Sequence, residues 1–171
     1  KDMSCLLNEC ISLNEIDASN WETQNVENMR SLFAYCKKAT SIKISEKFIT
    51  EKVKDMGNMF QNCESLVEFD ASKWDTKNVD NLAGMFSQCK KLVSVLIGQS
   101  FVTGNVKSMS SMFFRCQSLE ELDLLLWDTQ NVENLWRMFT DCSNLKNLKF
   151  PNGCSENVKD MSDMLSGCES L

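Results

Sequence analysis

The residues of this sequence most able to do chemistry are its cysteines. Cys10, Cys36, Cys63, Cys89, Cys116, Cys142 and Cys168 recur at intervals of 26 or 27 residues, in a 171-residue chain that contains nine cysteines and no histidine. A ladder of thiols could hold metal or form disulfides. Zinc requires four converging ligands, typically supplied as closely spaced cysteine pairs. Here the closest pair is Cys5 and Cys10. A disulfide requires side-chain vectors that converge, whereas thiols repeated in register point the same way. The ladder therefore reads as a small apolar side chain filling a tight corner beside Phe and Leu. No metal and no cofactor is expected. Cys5 and Cys154 stand outside the ladder and are the candidates for reactive or paired thiols.

Catalysis has few means here. Without histidine the usual general base is missing, and no G-x-S-x-G or glycine-rich phosphate loop occurs. Carboxylates recur in the same repeated context, where a catalytic pair would be expected once. The chain is read as a non-enzyme with no small-molecule substrate. Met29, Met56, Met59, Met85, Met109, Met112, Met138, Met161 and Met164 could suggest a soft-metal site, but they fall at positions expected to be buried and read as adaptable core filling.

Each cysteine closes a near-copy of one phrase: N-V-E-N-M-R-S-L-F-A-Y-C at 25–36, N-V-D-N-L-A-G-M-F-S-Q-C at 78–89, N-V-E-N-L-W-R-M-F-T-D-C at 131–142. After the cysteine, apolar residues alternate with period two, as in Ile16 and Ala18 or Phe69 and Ala71, which predicts a short strand with one buried face. Strands are expected to centre near Ile16, Ile42, Phe69, Val95, Leu122 and Leu148. An aromatic follows at Trp21, Phe48, Trp74, Phe101 and Trp127, with Cys154 in the sixth slot. Val26, Met29, Leu32, Phe33 and Cys36 then fall at i, i+3, i+6, i+7 and i+10, which predicts one face of a helix of about three turns. Asn25, Asn78, Asn105, Asn131 and Asn157 precede these segments and read as helix N-caps. Lys52 breaks that column.

A fixed period of this size indicates stacked repeats that bury their apolar faces on one another. The expected fold class is an α/β solenoid, a leucine-rich repeat right-handed superhelix with one parallel strand and one helix per ~26-residue repeat. At roughly 4.8 Å per strand, six repeats would make one continuous sheet about 25–30 Å wide. Odd repeats carry Trp and even ones Phe or Cys with a longer loop, so the larger unit is about 53 residues. Residues 1–171 form a single domain of about six and a half repeats, expected to be a fragment of a longer chain.

The segments I-D-A-S-N-W-E-T-Q-N-V-E-N-M-R-S-L-F-A-Y-C (16–36) and F-D-A-S-K-W-D-T-K-N-V-D-N-L-A-G-M-F-S-Q-C (69–89) resemble the BspA-type leucine-rich repeat. That repeat is found in bacterial surface proteins, mycoplasma lipoproteins and some protist proteins. The resemblance covers the whole chain. It implies a non-enzymatic, surface-exposed module that adheres to host proteins or to other cells, with no family catalytic or ligand residue to carry over. The even repeats depart most from the pattern, at 48–53 and 151–158.

The net charge of −6 and pI near 4.8 argue against nucleic acid, which calls for a basic stripe, and against docking on anionic membranes. No apolar run approaches the ~20 residues of a membrane span, so no direct membrane insertion is expected. The expected partner is another protein. Outward strand positions offer Glu15, Asp17, Glu68, Asp70, Glu121 and Asp123 as an acidic strip, or as a solvated face that alternates charge. No D-x-D-x-D loop is present for calcium. Leu96 and Leu125 place apolar side chains where this face is otherwise polar. Trp136 stands where other repeats have Arg30, Gly57, Ala83, Ser110 and Ser162, and Phe114 where they have Ala34, Gln61, Ser87, Thr140 and Ser166. Large apolar side chains at outward positions mark contact sites, so these two aromatics are expected to form one exposed patch. The expected location is extracellular or at the cell surface, the alternative being a cytoplasmic assembly component. No N-x-[ST] sequon supports a glycosylated surface.

Overall fold

The computed structural model describes residues 1–151 and 156–171; Cys154, expected to be a reactive or paired thiol, lies outside the described residues. Six short strands occupy the six expected places: β1 (Glu15–Asp17), β2 (Ser41–Lys43), β3 (Glu68–Ala71), β4 (Ser94–Ile97), β5 (Glu121–Asp123) and β6 (Asn147–Lys149). They pair in parallel, in register, as β1 with β2, β3 with β4 and β5 with β6.

Two expectations fail here. The strands form three separate two-stranded sheets instead of one continuous sheet. The described residues also contain no α-helix, so the α/β superhelix with a helix in each repeat is replaced by a flat, all-β arrangement. The sheet breaks fall between β2 and β3 and between β4 and β5. They coincide with the longer even repeats, which take six residues from strand centre to aromatic (Ile42 to Phe48) where odd ones take five (Ile16 to Trp21).

The segment expected to be helical is a coil of turns bonded to its neighbours. The N–H groups of Met29, Ser31, Phe33 and Tyr35 donate to the carbonyls of Asp55, Gly57, Met59 and Gln61 in the next repeat, at 2.7–2.9 Å. Leu32, Ala34 and Cys36 donate instead to the carbonyl three residues back. A helix is impossible because Ser31 and Tyr35 sit at φ 55° and 61°, and the same two positions are left-handed in every repeat. The residues there include Ser31, Asn58, Gly84, Asn62, Asp141 and Gly167, and none is β-branched. Two left-handed residues in each turn segment reset the chain so that alternate donors face the neighbouring repeat. Asp2, Asn28, Asp55, Asn81, Ser108, Asn134 and Asp160 are joined by successive parallel bridges, so this edge is continuous although the strand edge is not.

The asparagine column is also misread by the capping rule. Asn78, Asn105 and Asn131 donate their amide NH₂ to the carbonyls of Glu51, Lys77 and Gly104 in the preceding repeat. With no helix to cap, the side chain serves as a strut. Lys52 fills the same column by donating its Nζ to Asn25 Oδ1 at 3.0 Å.

The core lies between the strands and the turn segments. Phe33, Phe60, Phe86, Phe113 and Phe139 stack in one run with centroids 5.2–5.7 Å apart. Seven methionines from Met29 to Met138 are buried, while Met161 and Met164 in the last repeat are exposed and half-buried. The thiols follow the same rule. Cys36, Cys63, Cys89, Cys116 and Cys142 are buried, and the end members Cys10 and Cys168 only half-buried, because each lacks a covering repeat. A further column escaped the sequence reading: Thr23, Thr50, Thr76, Thr103 and Thr129 are all buried. Thr76 donates its hydroxyl to the Val102 carbonyl at 2.6 Å, and Thr23, Thr50 and Thr103 make equivalent bonds.

Candidate functional site: an aromatic trough on the turn face

The turn segments present one outward column per repeat on either side of the buried Met and Phe positions. Over three successive repeats these columns hold small or short polar residues, including Ala83, Gly84, Ser87, Ser110 and Ser111. The result is a trough of about 290 Å³ that also includes both Phe114 and Trp136. The two aromatics singled out by their departure from the repeat are therefore brought together. Trp136 is 37% exposed and Phe114 half-buried. Gly84 keeps this position bare, its φ being +65° and an added Cβ falling against the Asn58 side chain, where other repeats carry Ser31, Asn58 or Ser111 in the same left-handed conformation.

Each ring has the next residue's arginine stacked on it. The Arg115 guanidinium lies 4.9 Å from the Phe114 centroid, and that of Arg137 lies 4.7 Å from the Trp136 centroid, within cation–π range. Each arginine is tied forward, Arg115 Nε to Asp141 Oδ2 at 3.1 Å and Arg137 Nε to Asp163 Oδ2 at 3.4 Å. The backbone is fixed as well: Trp136 N–H donates to Asn134 Oδ1, and the Phe114 and Trp136 carbonyls accept from the N–H groups of Gln88 and Ser111. Few rotamers are left to lose when a partner covers the rings, which favours tight contact. The arginines could not be picked out from sequence, because their stacking depends on the left-handed backbone at Arg115 and Arg137.

The strand-face candidates are dispersed. Glu15 and Asp17 lie on β1, Glu68 and Asp70 on β3, and Glu121 and Asp123 on β5, all exposed and divided among three sheets. Lys43 pairs with Glu15 at 3.3 Å and Lys149 with Asp123 at 2.8 Å, so cations interrupt the acidic strip. Hydrogen bonds from Ser19 and Ser72 hold Asp17 and Asp70 below the usual carboxylate range, and Lys149 does the same for Asp123. Leu96 on β4 and Leu125 beyond β5 are 58% and 51% exposed. No strand residue takes part in the trough.

Burial governs the thiols. It pushes Cys36 up to about 11 and Cys142 up to about 12, and raises Cys63, Cys89 and Cys116 well above the ordinary value. A thiol held neutral in this way is a poor nucleophile at neutral pH. Among the described residues no group of three or more Cys, Asp or Glu side chains is placed to hold a metal ion.

Comparison with known proteins agrees with this geometry. The crystal structure of the T. pallidum leucine-rich repeat protein superposes with a TM-score of 0.56 at 21% identity, over 91% of this chain and 64% of that one. That likeness is one of fold. A leucine-rich repeat protein from Bacteroides ovatus is 17% identical over 84% of this chain and 44% of its own length, with a TM-score of 0.39. The chain thus spans less than two thirds of the length of either protein. No curated protein sequence matches it. The family described as "Mycoplasma protein of unknown function, DUF285" matches residues 1–97 and again 67–171, and the chain belongs to that family.

Proposed function

We propose that this chain is a non-catalytic protein-binding module that recognises its partner through the Phe114–Trp136 trough. The observation that carries the reading is the trough itself: two large rings stand on adjacent repeats where the others have small or polar residues, and they line one depression. A stacked repeat keeps its core because every repeat solves the same packing problem, and its outward columns are free to encode recognition. Aromatic anchors braced by arginine commonly carry a large share of binding energy. The absence of histidine and the neutral buried thiols leave little for catalysis.

The BspA-type phrase supports a role in adhesion at the cell surface, with the outward columns meeting a host protein or another cell. The acidic residues Glu15, Asp17, Glu68, Asp70, Glu121 and Asp123, with Leu96 and Leu125, offer a secondary contact surface for the partner. A photo-crosslinking side chain at Ser110, inside the trough, tests the reading on intact cells that display the protein. The expected result is one discrete protein adduct that is missing when the probe stands at Ser31. No adduct at Ser110, or the same adduct from both positions, would overturn it.

A further inference from the structure

The lining of the trough narrows the chemistry of what it can bind. In a chain of which 25% is charged, Arg137 is the single charged residue on its walls, and its Nε is taken up by Asp163. Beside the two rings, Ala83 and Gly84, the walls are Asn58, Gln61, Ser87, Gln88, Ser110 and Ser111. The side chains of Asn58, Gln61, Ser87, Gln88 and Ser111 have no hydrogen-bond partner among the described residues. Ser87 is only 3% exposed, and what can be reached of it lines the trough. A polar group so enclosed and left unpaired calls for an explanation. The backbone, by contrast, has no donor left to offer. The N–H groups of Asn58, Gly84, Gln88, Ser111 and Arg137 donate to carbonyls of the next repeat, and those of Gln61, Ser87 and Phe114 to the carbonyl three residues back. Those of Ala83, Ser110 and Trp136 go to the side chains of Asn81, Ser108 and Asn134.

We propose that the trough binds a neutral glycan carried by the protein partner. This rests on the trough being the recognition site and names the chemistry it reads. The lining disfavours the other common ligands in turn. An extended peptide adds to a structure through free backbone donors and acceptors, and the N–H groups here are spent. An amphipathic helix needs an apolar groove, whereas six of the eleven lining residues are amides or hydroxyls. An anionic ligand needs free cations, and the one arginine is already tied to a carboxylate. A sugar matches what remains. Each carboxamide presents a donor and an acceptor side by side, the complement of neighbouring hydroxyls that each do both. The faces of Phe114 and Trp136 carry partial negative charge and attract the polarised C–H groups on one face of a pyranose ring. Gly84 makes room for one of these amides, since a Cβ there would fall on Asn58 Oδ1.

The test uses the Ser110 photo-crosslinker, with the partner cells either untreated or treated with mild periodate, which cleaves the vicinal diols of sugars. The expected result is an adduct that periodate abolishes. In parallel, the purified chain is applied to an array of immobilised neutral and sialylated oligosaccharides. It should bind neutral members. Gln61→Ala and Gln88→Ala should each weaken that binding about fivefold, the worth of one hydrogen bond, and the Phe114→Ser, Trp136→Ser variant should bind none. An adduct that survives periodate, no neutral oligosaccharide bound, binding confined to sialylated members, or binding retained by the ring variant would each overturn the glycan assignment. An adduct that survives periodate would leave the trough as a protein-recognition site, whereas no adduct on untreated cells would remove that reading as well. Gln61 and Gln88 lie outside the buried core, so their variants decide the matter even if the ring variant fails to fold.

Discussion

The thiol of Cys89 donates to the carbonyl oxygen of Phe60 in the preceding repeat, at 3.1 Å. The bond recurs from Cys36 to Leu7, Cys63 to Phe33, Cys116 to Phe86, Cys142 to Phe113 and Cys168 to Phe139, at 3.0–3.2 Å. The small side chain that fills the corner thus also satisfies a buried backbone acceptor. A disulfide or a bound metal would consume that S–H donor.

The ladder makes stability sensitive to alkali. Unfolded thiols ionise near about 8.5, while burial raises Cys36 to about 11, Cys142 to about 12, and Cys63, Cys89 and Cys116 well above the ordinary value. Above the unfolded value the folded chain therefore binds more protons than the unfolded one. Stability is intact below it and falls as pH rises towards the folded values. Each buried thiol contributes a slope of up to about 1.4 kcal/mol per pH unit. Urea melts across that range should show the decline, and Cys89→Ala should make it shallower. A flat profile, or an unchanged slope in the variant, would contradict it.

Phe86 is 1% exposed and stacks between Phe60 and Phe113, at 5.2 and 5.7 Å. Phe86→Ala should cost about 3–5 kcal/mol in a denaturant melt, because the ring leaves a void bounded by three repeats. A loss below about 1 kcal/mol would show that the stack carries little of the stability.

The buried threonines should be sensitive to loss of the hydroxyl. Thr76→Val preserves volume and removes only the hydroxyl that reaches the Val102 carbonyl. The expected cost is about 1 kcal/mol, the net worth of a part-buried hydrogen bond. An unchanged melt would mean that water reaches the carbonyl instead.

How much of this was legible in the sequence follows from what each pattern constrains. The period, the strand centres from Ile16 to Leu148 and the Phe and Cys columns could be read because burial dictates residue type directly. The helix could not be told from the turn coil by spacing alone: Met29, Leu32, Phe33 and Cys36 face inward in either. The distinguishing signal was the pair of columns headed by Ser31 and Tyr35, rich in Asn, Asp, Ser and Gly and free of β-branched residues, as left-handed backbone demands. The asparagines misled because Asn78 can accept from a helix start or donate to a neighbouring carbonyl, and only the stacking decides. The Phe114–Trp136 pair was visible because a strict repeat exposes its exceptions. The period alone sets Lys43 opposite Asp17 and Lys149 opposite Asp123, the alternation of charge that the sequence offered beside an acidic strip.

The central claim is that the repeating core carries the stability and the Phe114–Trp136 trough carries recognition. The most direct measurement compares the chain with its Phe114→Ser, Trp136→Ser variant, recording the thermal midpoint and retention of the crosslinked partner on the same samples. The expected result is a midpoint shifted by less than about 4 °C, equivalent to roughly 1 kcal/mol for a chain of this size, together with loss of the partner. A collapsed midpoint would place the two rings in the core, and a retained partner would place recognition elsewhere; either result contradicts the claim.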